Sequence, residues 1–151
     1  FVLELQEPTD LSALLEWEGF AVDGIKDGHL GLGFETVTDA LKLDPLTDAE
    51  FESLITNTSF SGGSLRSVLP LKSDGYFRAH LAPGTGDFPA GFAVALVLDG
   101  DGEMTFSQAP AMTITKGDAI VIPFSAGSFS ITGPNAIICR PPLAELARDA
   151  E

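Results

Sequence analysis

The chain has 151 residues, 44% of them hydrophobic and 11 of them Phe, which suits one ordinary domain with a sizeable core and excludes a disordered chain. Its 22 acidic and 8 basic residues leave a formal net charge of -14, so the surface repels phosphate backbones and anionic lipid head groups, and neither nucleic acid nor a membrane is expected as a partner. The same charge repels a phosphorylated substrate unless the few cations are concentrated where that substrate sits.

The chain opens FVLELQ, in which Phe1, Leu3 and Leu5 share one face and Val2, Glu4 and Gln6 the other, the alternation of a strand already in progress. Beyond it, Asp10 followed by Leu11, Leu14 and Leu15 suits the cap of a short helix, while alternation through Ala13, Leu15 and Trp17 suits a strand. Residues 19–33, GFAVDGIKDGHLGLG, read as turns and a surface loop. Two helix signals follow. FETVTDALKL at 34–43 sets Phe34, Val37 and Leu41 on one stripe, and Thr47 with Glu50 makes a capping box ahead of Phe51, Leu54 and Ile55; Pro45 separates the two.

From about residue 56 the pattern is β. After NTSFSGG come the candidate strands SLRSVLPL, YFRAHLA, GFAVALVLDG, GEMTFSQ, AMTITKG, AIVIPF, SFSITG and AIICRP, each bounded by Gly, Pro, Asp or Asn, and short strands so evenly spaced imply a sandwich or barrel. The longest apolar run, AGFAVALVL at 90–98, is strand-length and far from the ~20 residues of a membrane span. The single cysteine, Cys139, makes no internal disulfide, lies in a candidate buried strand and is expected to be inert, in a reducing, cytoplasmic setting. LAELARDAE at the end has the spacing of a short helix or tail.

Neither histidine has a second ligand nearby in sequence. His80 in YFRAHLA shares a strand face with Tyr76 and Arg78 and reads as a surface or hydrogen-bonded histidine, and His29 lies in the Gly-rich loop. DGHLGLGFE at 27–35 lacks the lysine and the preceding buried strand of a phosphate-cradling loop.

VALVLDGDGEMTF and then TKGDAIVIPFSAGSFSI resemble the double-stranded β-helix of the cupin superfamily, with turn glycines Gly100, Gly102 and Gly117 and the strand-ending Pro123. The resemblance implies a mainly β fold, a cupin-like jelly roll with a small helical insertion. Metal-binding cupins carry two histidines and a glutamate before the first turn and a further histidine after the proline. GFAVALVL and FSAGSFS contain none of these, so a cupin-like barrel that holds no metal is expected at 56–142.

FVLELQEPTDLSALLEWEGF followed by DGHLGLGFETVTDAL resembles class I, zinc-dependent mannose-6-phosphate isomerases in the segment after their last metal-binding histidine, and the terminal ICRPP is similar to the end of that family's final domain. The resemblance implies four parts. Residues 1–18 would be terminal strands of an upstream catalytic cupin domain, 19–55 a loop and helical connector, 56–142 a C-terminal cupin-like barrel and 143–151 a tail. It further implies that this chain is the C-terminal portion of an enzyme interconverting mannose 6-phosphate and fructose 6-phosphate, partnered by a sugar phosphate and by an N-terminal part holding the zinc. Glu4 matches a family glutamate that points into the active-site cleft and Asp10 the aspartate of a Ser/Thr-Asp pair, giving both a catalytic role, with Gln6 beside Glu4 as a substrate contact; the alternative is that Glu4 and Gln6 are a hydrogen-bonded structural pair. Leu14 stands where the family commonly places an active-site arginine, and a leucine does not clamp an anion. That departure favours the rival reading, a non-catalytic cupin-like module that binds a sugar or serves regulation.

Overall fold

The computed structural model describes residues 2–6, 12–41, 43–55 and 66–143. The chain divides into two compact units, Phe1–Thr47 and Asp48–Glu151.

In the first unit, Asp23 caps a one-turn helix, α1 (Gly24–Asp27), its carboxylate accepting from the Lys26 N–H at 3.2 Å; the Gly-rich stretch read as loop thus hides one helical turn. The Trp17 ring lies directly over Gly24, where any side chain would collide with it, and it stacks on Phe34 at 5.5 Å between centroids. A second helix, α2 (Phe34–Thr38), buries Val37. The periodicity of 34–43 predicts twice that length. The helix stops early because the Thr38 hydroxyl bonds back to the Phe34 carbonyl at 2.7 Å and the next amides, Ala40 and Leu41, reach only three residues back.

Over residues 1–18 the sequence offers a strand at the start and, after Asp10, either a short helix or more strand. Residues 2–6 and 12–17 belong to no ladder and no helix, and Val2 is 88% exposed. Alternation marks a strand only where a partner strand takes up its N–H and C=O groups.

The second unit begins with α3 (Asp48–Leu54), immediately after the Thr47 that was read as its cap. Among the described residues seven strands follow: β1 (Arg66–Ser67), β2 (Arg78–Phe88), β3 (Ala93–Asp99), β4 (Asp101–Phe106), β5 (Met112–Thr115), β6 (Ala119–Ile122) and β7 (Phe129–Arg140). All pairings are antiparallel. Sequence reading cuts β2 at Pro83-Gly84 and β7 at Gly133-Pro134. The structure runs both strands through those points and bends them there.

The bend makes one hydrogen-bonded sheet into two leaves. The first half of β2 pairs with the second half of β7, from Arg78↔Arg140 to Pro83↔Asn135, and β3 and β6 extend that leaf. The second half of β2 pairs with the first half of β7, from Thr85↔Thr132 to Phe88↔Phe129, and β4 and β5 extend the other. Register slips between Pro83 and Thr85 at the crease, where Gly84 (φ 81°) and Gly133 (φ 111°) take the positive φ that side chains avoid. Between the leaves lie Ala82, Phe88, Ala95, Val97, Met104, Ile114, Ile122, Ile131 and Ile138, all buried. This is a mainly β, antiparallel jelly-roll barrel, and inward residues such as Ala93, Ala95 and Val97 alternate along β3. Among the described residues no helix is long and apolar enough to cross a membrane.

Gly102 on β4 lies so close to the crease that a Cβ would collide with the Thr132 carbonyl and the Pro134 ring, backbone and ring atoms that cannot swing away. Gly102→Ala is therefore expected to lower the stability of the chain by about 2 kcal/mol with an unchanged denaturant slope; a urea titration in which the midpoint hardly moves would remove the crease from the account.

Candidate anion-binding site

The crease folds the paired β2 and β7 back on themselves, so that their two ends meet. One end carries Arg78 and His80, register-paired with Arg140 and Ile138; the other carries the pair Phe88↔Phe129. Directly paired residues of an antiparallel ladder project from the same face. Arg140 continues the inward series Ala136, Ile138, and so a cation is carried to the end of the core.

Arg140 is 9% exposed. Its Cζ lies 5.8 Å from the Phe88 ring centroid and 5.5 Å from that of Phe129, while those two rings stack on each other at 4.9 Å. One Nη2–H donates to the Pro89 carbonyl at 2.6 Å, and the buried Nε has no partner. No carboxylate pairs with this guanidinium among the described residues, although Asp87 lines the same pocket; the Asp87 carboxylate accepts from the Ser130 hydroxyl at 2.6 Å. Burial pushes the Arg140 guanidinium below its ordinary pKa, and Arg78 across the ladder pushes the same way. An arginine stays protonated under such a shift, so the site holds a cation that no carboxylate offsets among the described residues.

The pocket has a volume of about 130 Å³, is open to solvent and is lined by His80, Asp87, Phe88, Pro89 and Arg140. Burial lowers the His80 pKa from 6.5, Arg78 and Arg140 lower it further and Asp74 acts against them, so the imidazole is neutral at physiological pH. Arg78, from the same face, donates its Nε–H to the Pro141 carbonyl at 3.0 Å. A chain with 22 acidic residues thus sets two of its 8 Lys and Arg opposite one another. Next to Arg140, burial raises the Cys139 thiol pKa, the inert state expected of it.

Gln6 donates its amide N–H to the Glu4 carboxylate at 2.9 Å on an exposed extended segment, and Asp10 lies outside the described residues. His29 is a packing residue: its Nδ1 accepts from the Gly33 N–H at 3.1 Å and its ring meets Phe34 edge-on at 5.2 Å. Among the described residues no group of three or more His, Cys, Asp or Glu side chains is placed to hold a metal ion. Sequence reading missed Arg140 and Asp87 and set His80 aside. The available signal was a lone arginine on the inward phase of an apolar strand, AIICRPP.

No family model matches the chain, and no curated protein matches it. Among solved structures it is similar to a mannose 6-phosphate isomerase from Bacillus subtilis, at 18% identity and a TM-score of 0.48 over 72% of this chain and 33% of that one. It is also similar to an ectoine synthase from P. lautus (19%, TM-score 0.45, 71% of this chain and 86% of that one). A third likeness is to a cupin-2 domain containing protein from Shewanella frigidimarina (16%, TM-score 0.40, 64% and 93%). The barrel assignment stands on the strand registers above.

Because the folded state holds His80 with a lowered pKa, the unfolded chain binds the proton more readily. The His80 contribution to stability is therefore complete above pH 6.5 and is lost as pH falls through that value and on through the lowered folded pKa. Between pH 7.5 and 5.5 the urea midpoint of the wild type is expected to fall more than that of His80→Asn; parallel declines would show that His80 carries no such linkage.

Proposed function

We propose that the β unit is a small-anion-binding module of the cupin type. One observation carries this reading: Arg140, buried at the end of the core, is a cation with no carboxylate partner among the described residues and lines an open pocket. Burying an uncompensated charge opposes folding, and an arginine opposite an arginine across a ladder opposes it again. An anion in the pocket offsets both terms, through charge-assisted hydrogen bonds from the guanidinium in a partly desolvated setting. His80 adds a donor when protonated, so affinity rises as pH falls through the imidazole range.

Its setting is the C-terminal portion of a mannose-6-phosphate isomerase-like protein. What supports this part is the resemblance of residues 1–55, with Glu4 and Asp10 as its acid-base candidates and zinc held by residues upstream. In a parent protein of that kind, Glu4→Gln should reduce mannose 6-phosphate turnover ~100-fold. Turnover near wild type would leave Glu4 as one half of the hydrogen-bonded pair with Gln6.

The binding reading is tested on the chain itself by titration with sodium formate, the smallest carboxylate, followed by NMR at the Arg140 Nε–H and the His80 imidazole. Saturable shifts with a dissociation constant on the order of 1 mM are expected, tighter at pH 5.5 than at 7.5 and abolished in Arg140→Met. That variant should be no less stable than wild type, because an unpaired buried charge gives way to an apolar side chain. Absence of saturable shifts in the wild type would overturn the proposal.

A further inference from the structure

The connection between β2 and β3 closes on the tip of the Arg140 side chain. Its Pro89 carbonyl accepts from Nη2 at 2.6 Å, and Gly91 comes so near that a Cβ there would stand 3.3 Å from Nη1. The buried Nε keeps a free donor. Beside this cation the pocket wall is Phe88 and Pro89, whose side chains carry neither donor nor acceptor. The Asp87 carboxylate belongs to the outside: Asp87 is exposed, alternates to the strand face opposite Phe88, and accepts there from the Ser130 hydroxyl at 2.6 Å. The pocket thus joins one charged spot to an apolar wall. Its volume of about 130 Å³ is a few times the ~30 Å³ share of one water, which is room for a carboxylate and two or three further carbons, and anything longer leaves through the open mouth.

We infer that the site takes a short monocarboxylate with an apolar tail of two or three carbons, the class of propionate and butyrate, its carboxylate on Arg140 and its tail against Phe88 and Pro89. The inference rests on the anion-binding reading and narrows it to one class. Common oxyanions differ in where they carry their oxygens. A phosphate or sulfate is tetrahedral and presents oxygens all round, so seating it on Arg140 presses an oxygen toward Phe88 or Pro89, where no side-chain donor replaces the water it loses. A carboxylate is planar, sets both oxygens on one edge to match a guanidinium, and turns its carbon chain the other way. That chain meets the apolar wall, and each methylene it buries there strengthens binding by up to about fourfold. Charge adds to the preference, since a phosphate near neutral pH brings more than one negative charge into a chain of net charge -14, and a carboxylate brings one.

The experiment is NMR titration of the full chain at pH 6.5 and constant ionic strength with sodium formate, acetate, propionate, butyrate and hexanoate, and with inorganic phosphate. Shifts are read at the Arg140 Nε–H and the His80 imidazole. Affinity is expected to rise about threefold per carbon from formate to butyrate and to level off at hexanoate, whose end leaves the pocket. Phosphate is expected to bind more weakly than butyrate. Pro89→Ala keeps the carbonyl that holds Arg140 and removes most of the ring; Pro89 is exposed, so the core is untouched. In that variant the ratio of butyrate to formate affinity is expected to fall about threefold or more. Equal affinities for formate and butyrate, a rise that continues undiminished to hexanoate, a ratio that Pro89→Ala leaves unchanged, or phosphate binding more tightly than butyrate would overturn this inference while saturable formate binding keeps the anion site. If formate gives no saturable shift, both readings fall.

Discussion

The geometry of the β unit depends on the crease in the β2–β7 ladder. An antiparallel pair of this length, kept straight, would make a flat ribbon with an apolar face and no second layer to cover it. Bending both strands at the same level, Gly84 in one and Gly133 in the other, folds that face onto itself and creates the two leaves. Close approach finishes the arrangement: Gly102 of β4 rests against the Thr132 carbonyl and Pro134, a contact that any side chain would block. The site is a consequence of this bend. Arg140 and Phe129 are the two ends of β7, and only the crease sets the guanidinium against that ring and against Phe88.

Strand positions were legible in the sequence because a residue facing the core repeats every second position, and Ala93, Ala95 and Val97 keep that phase without fault. The crease was not legible. Pro-Gly and Gly-Pro ordinarily end strands, and nothing local distinguishes a strand that ends from one that bends and continues under the constraint of its partner. In the first unit FVLELQ alternates cleanly and residues 2–6 have no ladder among the described residues, since pairing is decided by a distant segment and not by the pattern. The candidate site shows the same limit. That Arg140 faces inward follows from the phase of Ala136 and Ile138, but its carbonyl partner at Pro89 is 51 residues away, and its aromatic wall comes from the other leaf.

The strongly acidic composition carries different meanings at long and short range. Beyond a Debye length of roughly 8 Å, salt screens most of the field of a net charge of -14. Around His80 burial and the near charges govern: burial lowers its pKa, Arg78 and Arg140 lower it further and Asp74 raises it. A short-range cation inside a long-range anionic field lowers the encounter rate for anions while leaving contact affinity to local geometry. Such a site discriminates by fit and by hydrogen bonding, and it disfavours ligands that bring charge without making contacts.

An arginine at the end of an apolar core, with no carboxylate partner among the described residues, is a standing cost to the fold that two aromatic faces and one carbonyl offset only in part. Linkage makes that cost informative. A ligand that binds the folded chain at a hundred times its dissociation constant adds about 2.7 kcal/mol to stability, a large fraction of what a domain of this size possesses. Stability and occupancy of the pocket are then coupled through a single side chain, in opposite directions for the two states. Replacing Arg140 with an apolar residue would favour the empty barrel, whereas keeping it favours the barrel only where its anion is present. A residue that opposes the free fold and supports the bound one has the energetic profile of a binding residue, and packing alone would have placed a methionine or leucine at the end of AIICRPP.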